Sequence, residues 1–294
     1  MDKELYTDGR YLAINPSWHS EESAWKAQQI RRMLQQHALM PATICEVGCG
    51  VGEVLNQLQM TMDPTCEFWG YDISPQAIAL CQSRANDRLH FIQGSATDAP
   101  EAQYDLLLVL DVMEHVEDYY SFLRELRSKG RHIMLHIPLE LSAQTVLRSQ
   151  GLLRTQAAYG HLHYFTRETA LQALANAGYT VVDAVYTRRA LEEPTRELPR
   201  WLLHYPRALL FAVNEHLAAR LLGGFSLLVL ATTDTTTDEW PGQKERSTAS
   251  PRHANRLHIR PLLAILAGLT VLLAITALSA RAVRRIFTRR HWVE

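Results

Sequence analysis

Apolar residues along the chain fall into short runs separated by stretches of helical period. Between residues 21 and 37, Trp25, Ile30, Met33 and Leu34 sit at helical spacing. Ser20, followed by Glu21 and Glu22, suits the start of that helix. Apolar runs predict strands at 43–47, 67–71, 89–92, 104–110, 131–137, 179–187 and 225–231. The gaps predict helices at 52–61, 75–85, 117–128 and 167–177. No polar residue interrupts Leu106 to Leu110, so that strand is apolar on both faces. Strands alternating with helices, with central strands of this kind, predict a doubly wound α/β fold whose mostly parallel sheet is covered on both sides.

Several segments break the alternation. Residues 139–165 and 193–222 are insertions around the last two strands. The second is rich in Trp201, Leu202, Leu203, Tyr205, Leu209, Leu210, Phe211, Leu217 and Leu221 and predicts one or two helices. These form either a cap over the sheet or a surface that meets lipid. Thr, Ser, Pro, Asp and Arg dominate 233–260, which predicts a flexible linker. Leu262 to Ala280 is then 19 residues without a charge, flanked by Arg260 and Pro261 before and by Arg281, Arg284 and Arg285 after. At helical rise this stretch spans about 28 Å, close to the hydrocarbon thickness of a bilayer. It predicts a C-terminal transmembrane helix at 261–280, with a buried helix as the alternative. The resulting organisation is an N-terminal lid and helix (1–40), an α/β domain (41–232), a linker (233–260), the apolar segment (261–280) and a basic tail (281–294).

Charge sharpens this division. From Lys244 onward there are ten Lys or Arg against two acids, which leaves 20 basic and 29 acidic residues before it, a balance of −9. An acidic body with no basic groove argues against a nucleic-acid partner. The four cysteines (Cys45, Cys49, Cys66, Cys81) match no zinc spacing and read as reduced thiols of a cytoplasmic domain. No signal peptide is expected, because Met1 to Arg10 is polar and no apolar run follows.

The chemistry begins at residues 44–52, Ile-Cys-Glu-Val-Gly-Cys-Gly-Val-Gly, where a short strand turns into a helix. Three glycines at alternate positions let a backbone pass close beneath a small charged ligand. Phe68-Trp69-Gly70-Tyr71-Asp72 is a second apolar strand that ends in a carboxylate, where ribose hydroxyls bind in doubly wound sheets. A dinucleotide site has the spacing G-x-G-x-x-G. Here it is G-x-G-x-G, led by Glu46.

On these residues the chain resembles the class I S-adenosylmethionine-dependent methyltransferases. Later segments match that family in order: Phe91-Ile92-Gln93-Gly94-Ser95, then Tyr104 to Val116, then Gly160-His161-Leu162-His163-Tyr164-Phe165-Thr166. The likeness covers residues 15 to 232. It implies a seven-stranded Rossmann-like sheet with an antiparallel last strand, and S-adenosyl-L-methionine as cofactor. It also implies that Glu46 meets the methionine ammonium and that Gly48, Gly50 and Gly52 line the floor. Asp72 would hold the ribose, Ile73 would pack on adenine, and Asp111 would face the cofactor. Relatives place an acid after Gly94; here Ser95 stands there, so the adenine amine falls to Ser95, to the Ala96 backbone or to Asp98.

His115 is the candidate general base, since histidine titrates near neutrality, with a loop-anchoring role as the alternative. His163, alternating with His161, is the second catalytic candidate. Asp111, Glu114, His115 and His163 resemble the ion-binding set of some metal-dependent relatives, but the expectation is no resident metal. Trp18 and His19 are candidate lid residues, with a hydrophobic staple as the plainer role for Trp18.

The function implied is methyl transfer to a small-molecule or lipid-linked acceptor, at oxygen. The enzyme would be held on the membrane through its C-terminal segment, with the catalytic body in the cytoplasm. The tail's side of the membrane and the oligomeric state are not readable. The rivals are a membrane-tethered cofactor-binding scaffold without catalysis and an NAD-dependent oxidoreductase, the latter disfavoured by the glycine spacing.

Overall fold

The computed structural model describes residues 6–18, 20–99, 103–148, 150–192 and 198–233. Seven strands form one sheet: β1 (Thr43–Val47), β2 (Glu67–Asp72), β3 (Leu89–Gln93), β4 (Tyr104–Leu110), β5 (Gly130–Leu139), β6 (Thr180–Thr187) and β7 (Phe225–Thr232). Their order is β3-β2-β1-β4-β5-β7-β6. Neighbours from β3 to β5 run parallel, while β7 runs antiparallel to both β5 and β6. The order reverses between β1 and β4, and ligands bind at the carboxyl ends of the strands beside such a switch.

Burial explains why the central strands carry no polar residues. Along β4, Leu107 and Val109 enter one apolar cluster, while Leu106, Leu108 and Leu110 enter another. The first lies under α5 (Tyr119–Leu126) and α8 (Arg167–Asn176), through Leu123, Leu126, Ala170 and Leu174. The second lies under α2 (Ser23–Gln36) and α3 (Glu53–Gln59), through Ile30, Met33, Leu34, Val54, Leu55 and Leu58. A period-2 strand between two helical layers has to be apolar at every position.

The remaining helices are short except for the 16-residue Leu198–Val213. They are α1 (Arg10–Ile14), α4 (Pro75–Cys81), α6 (Ala143–Leu147), α7 (Gly151–Tyr159), α9 (Arg189–Glu192), α10 (Leu198–Val213) and α11 (Glu215–Leu222). Ser74 caps α4 by accepting from the Ala77 N–H, ahead of Pro75 at the first helical position. Thr166 and Thr169 close a reciprocal cap on α8.

The first insertion contains α6 and α7, and the second contains α10 and α11. Ala218 and Ala219 pack on Phe225 with Leu210 and Phe211 around them, so the second insertion packs against the start of β7. One stripe of α10, Tyr205, Leu209 and Val213, remains exposed. All four cysteines are free and buried. The expected transmembrane helix and basic tail lie outside the described residues. Among the described residues, no helix is long and apolar enough to cross a membrane.

Candidate functional site

A cavity of about 650 Å³ opens at the carboxyl ends of β1, β2, β4 and β5. Glu46 and Val47 of β1 lead into the glycine loop that forms its floor. Gly48, Gly50 and Gly52 all adopt left-handed backbone, with φ of 73°, 54° and 74°. L side chains resist these angles, which is why glycine stands there. The Gly48 and Cys49 N–H groups donate to the Tyr71 carbonyl at 2.8 and 3.0 Å, which bends the loop over the end of β2.

The third glycine departs from expectation. Gly52 does not line the cavity: a Cβ there would lie 2.4 Å from the Phe91 ring, so its role is close packing ahead of α3. Ala96 also lies outside the lining, buried in the first core cluster, whereas Ser95 and Gly94 line the cavity. The Ser95 hydroxyl accepts from the Thr97 N–H. Asp98 is not among the lining residues.

Asp72 closes β2 at the cavity wall, with Ile73 beside it. Its two oxygens accept from the Gly50 N–H and the Ser74 N–H, each at 2.8 Å. The carboxylate therefore ties the glycine loop to the start of α4 and keeps lone pairs for a ligand. Burial raises its pKa to about 6, against the pull of the Ser74 and Gly50 donors.

Glu46 is 3% exposed and its Oε2 has no hydrogen-bond partner. Burial raises its pKa well above the ordinary carboxylate value, and only the Lys26 ammonium opposes this. Asp111 holds an unusual φ of +55°. Its Oδ1 accepts from His136 Nδ1 at 2.7 Å and its Oδ2 pairs with Lys26 Nζ at 2.7 Å. Burial opposes the charge on Asp111, but His136 and Lys26 outweigh it and hold the carboxyl far below its usual range.

In the same cavity, Glu114, His115 and His161 each offer a ligand atom, and these atoms lie within 4.8 Å of one another. Glu114 is fully buried, neither of its oxygens has a hydrogen-bond partner, and burial followed by the Asp111 charge raises its pKa strongly. His115 Nδ1 lies 2.9 Å from the Tyr6 hydroxyl and 3.3 Å from the Gly160 carbonyl. A carbonyl only accepts, so the tautomer that satisfies Gly160 is the one with its hydrogen on Nδ1 and its lone pair on Nε2. His161 Nδ1 likewise donates to Glu140 Oε2 at 2.8 Å.

His163 corrects the expectation. It lies outside the cavity lining, with its ring against Tyr119 and its Nε2 3.1 Å from the Glu117 carbonyl. His161, not among the expected catalytic residues, lines the cavity instead, its ring centroid 4.7 Å from that of His115. The N–H groups of Leu162 and His163 both reach the Glu114 carbonyl, so the segment wraps one oxygen and does not alternate as an extended strand would.

The N-terminal segment supplies the roof. Trp18 lines the cavity, packs on Tyr11 at 4.9 Å and sits 3.7 Å from a Cβ placed at Gly50. It is therefore a lid residue and not a staple. His19 lies outside the described residues. Tyr6, Tyr11, Lys26, His136 and Tyr159 line the cavity without any motif having marked them.

The profile of the Methyltransferase domain family matches residues 18–184, more than half of the chain. Ajmaline N-methyltransferase of Rauvolfia serpentina is 30% identical over 114 residues, 35% of this chain and 38% of that protein. Ubiquinone biosynthesis O-methyltransferase of Azorhizobium caulinodans is 35% identical over 86 residues, 28% of this chain and 33% of that protein. The matched stretches thus span about a third of these relatives, 38% and 33%. A chain solved with the Trm112 methyltransferase activator of Haloferax volcanii shares the fold: TM-score 0.54 at 16% identity, over 79% of this chain and 97% of that one. The glycine loop, the acid that ends β2 and the sheet order coincide with the family match, so S-adenosylmethionine is the cofactor and the chain belongs to the Methyltransferase domain family.

Proposed function

We propose that this methyltransferase acts on an oxygen of a small-molecule or lipid-linked acceptor, with His115 as general base. The observation that carries this reading is a single chamber lined by the glycine loop, Asp72 and His115 together. Bound S-adenosylmethionine supplies a methyl group on a sulfonium, an excellent leaving group, so the chain's task is alignment and exclusion of water. Tyr11 and Trp18 roof the donor end. The Gly160 carbonyl and the Tyr6 hydroxyl hold the His115 ring with its lone pair on Nε2, the form that takes a proton from a hydroxyl. A neutral amine attacks without a base, which makes this arrangement favour oxygen, although the named relatives include enzymes of both kinds. The test is to incubate the full chain with labelled donor, a membrane lipid extract and a hydroxylated small-molecule fraction. A labelled, base-stable ether is the expected product. No product in any fraction would favour the scaffold reading.

The lipid side of the proposal is supported by the uncharged stretch Leu262–Ala280 with arginines after it, and by the exposed stripe of α10. With the catalytic body in the cytoplasm, the segment would hold the enzyme beside a lipid-linked acceptor. A chain ending at residue 240 should leave the membrane fraction and still bind S-adenosylhomocysteine. Continued sedimentation with membranes would remove the segment as anchor and point to α10.

The bare Glu114 carboxylate favours a second reading, a divalent cation held by Glu114, His115 and His161. Two histidine nitrogens and one carboxylate suit zinc, iron or manganese, and Glu140 supports His161 as second-layer carboxylates do. Such an ion would lower the pKa of a hydroxyl beside it. Equilibrium dialysis against Co²⁺, Mn²⁺ and Zn²⁺ should then find one ion per chain, lost in Glu114→Gln. Equal uptake by wild type and variant would leave His115 acting alone.

A further inference from the structure

Lys26 belongs to no motif, yet it reaches the donor end of the cavity from α2. Its side chain is 13% exposed, with Nζ 2.7 Å from Asp111 Oδ2 and 3.6 Å from Glu22 Oε2. Desolvation works against a buried ammonium, but the Asp111 and Glu22 carboxylates more than offset it and hold this one charged. Among the described residues lining the cavity, Lys26 is the one Lys or Arg.

Its position is fixed from behind. Asp111, its closest partner, is held by His136, whose second nitrogen meets the Thr187 hydroxyl at 3.0 Å. Glu22 is held in turn by Arg189 of α9. An ammonium has three donors; Asp111 takes one at 2.7 Å, while Glu22, at 3.6 Å, is an ion-pair partner beyond hydrogen-bond distance. Donors therefore remain for the cavity.

The donor brings a matching demand. Its methionine end is an α-amino acid, so an ammonium and a carboxylate sit on one carbon. For the ammonium the cavity offers Glu46 and Asp111. For the carboxylate it offers a single cationic side chain.

We propose that Lys26 binds the α-carboxylate of the donor, and that it thereby makes the enzyme select a donor with an intact amino-acid end over a decarboxylated one. The proposal extends the donor site and is independent of what the acceptor is.

The test uses the full chain and calorimetric titration with two ligands and no acceptor. One ligand is S-adenosylhomocysteine. The other is 5′-S-(3-aminopropyl)-5′-thioadenosine, which keeps the nucleoside, sulfur and ammonium but lacks the carboxylate. Wild type should prefer the first by roughly tenfold or more, the usual scale of a charge-assisted contact. Lys26→Gln should bind the two ligands equally, and Lys26→Arg should restore the preference. Three results would overturn the proposal: no preference in wild type, a wild-type preference in Lys26→Gln, or equal loss of both ligands in Lys26→Gln. The last would mean that Lys26 only shapes Asp111. Binding is read without methyl transfer, so failure here stays separate from failure of the acceptor reading.

Discussion

Replacing His115 with glutamine is expected to lower kcat by about a hundred- to ten-thousand-fold, the range of a lost general base, while leaving S-adenosylhomocysteine affinity unchanged. The His115 ring is held by Tyr6 and Gly160, whereas the glycine loop and Asp72 are held by Tyr71, Ser74 and each other, so donor binding should not sense the change. Glutamine keeps a donor for the Gly160 carbonyl but has no lone pair of imidazole basicity. The variant's residual rate should lose the acid limb of the wild-type pH profile. A kcat close to wild type would show that His115 only anchors the loop through Tyr6 and Gly160.

The second large effect belongs to Asp72. Asp72→Ala should weaken S-adenosylhomocysteine binding by about tenfold to a hundredfold, since ribose loses a charged acceptor. The glycine loop loses the Gly50 anchor at the same time. Asp72→Asn separates the two effects, because the amide keeps an acceptor for that loop but carries no charge.

Protonation gives an independent check. The folded carboxyl has a pKa of about 6 against an ordinary value of 3.8. The raised value means that ionised Asp72 costs stability in the free protein. This contribution is favourable below the unfolded pKa and disappears as pH rises through about 6, a difference of roughly 3 kcal/mol. Donor binding needs the ionised form, so affinity should fall as pH drops through that value, by about tenfold at pH 5. Asp72→Asn should flatten this dependence over the same window. Unaltered affinity in Asp72→Ala would reduce Asp72 to a structural tie between the glycine loop and α4.

The parts of the site that read directly from sequence are those where backbone geometry restricts residue type. Gly48 and Gly50 sit at angles only glycine takes easily, and Asp72 ends an apolar strand, so both leave local marks. The sheet was legible for a similar reason: strands such as Leu106–Leu110 pack on two cores and can hold nothing polar. Contacts made across the chain leave no such mark. Lys26 follows Glu22 by four positions and reads as an ordinary exposed helix pair. Only the fold turns that face toward Asp111, 85 residues on.

His161 and His163 were expected to face the same way, but the chain bends around the Glu114 carbonyl and only His161 enters the site. Gly52 carries the right spacing for the floor, yet its neighbour is the Phe91 ring, contributed by β3. Tyr6 reaches the cavity from a segment that precedes the sheet, where neither periodicity nor motif points inward, whereas Trp18 on the same segment is a lid candidate through the family resemblance alone.

The central claim is that the donor lies over the glycine loop with its ribose on Asp72. The most direct measurement is a crystal structure of the full chain grown with S-adenosylhomocysteine. The expected density runs across Gly48 and Gly50, with both ribose hydroxyls within hydrogen-bond distance of the Asp72 carboxylate. Density for the ligand elsewhere, or a ribose turned away from Asp72 while the cavity stays filled by Trp18 and Tyr11, would contradict it.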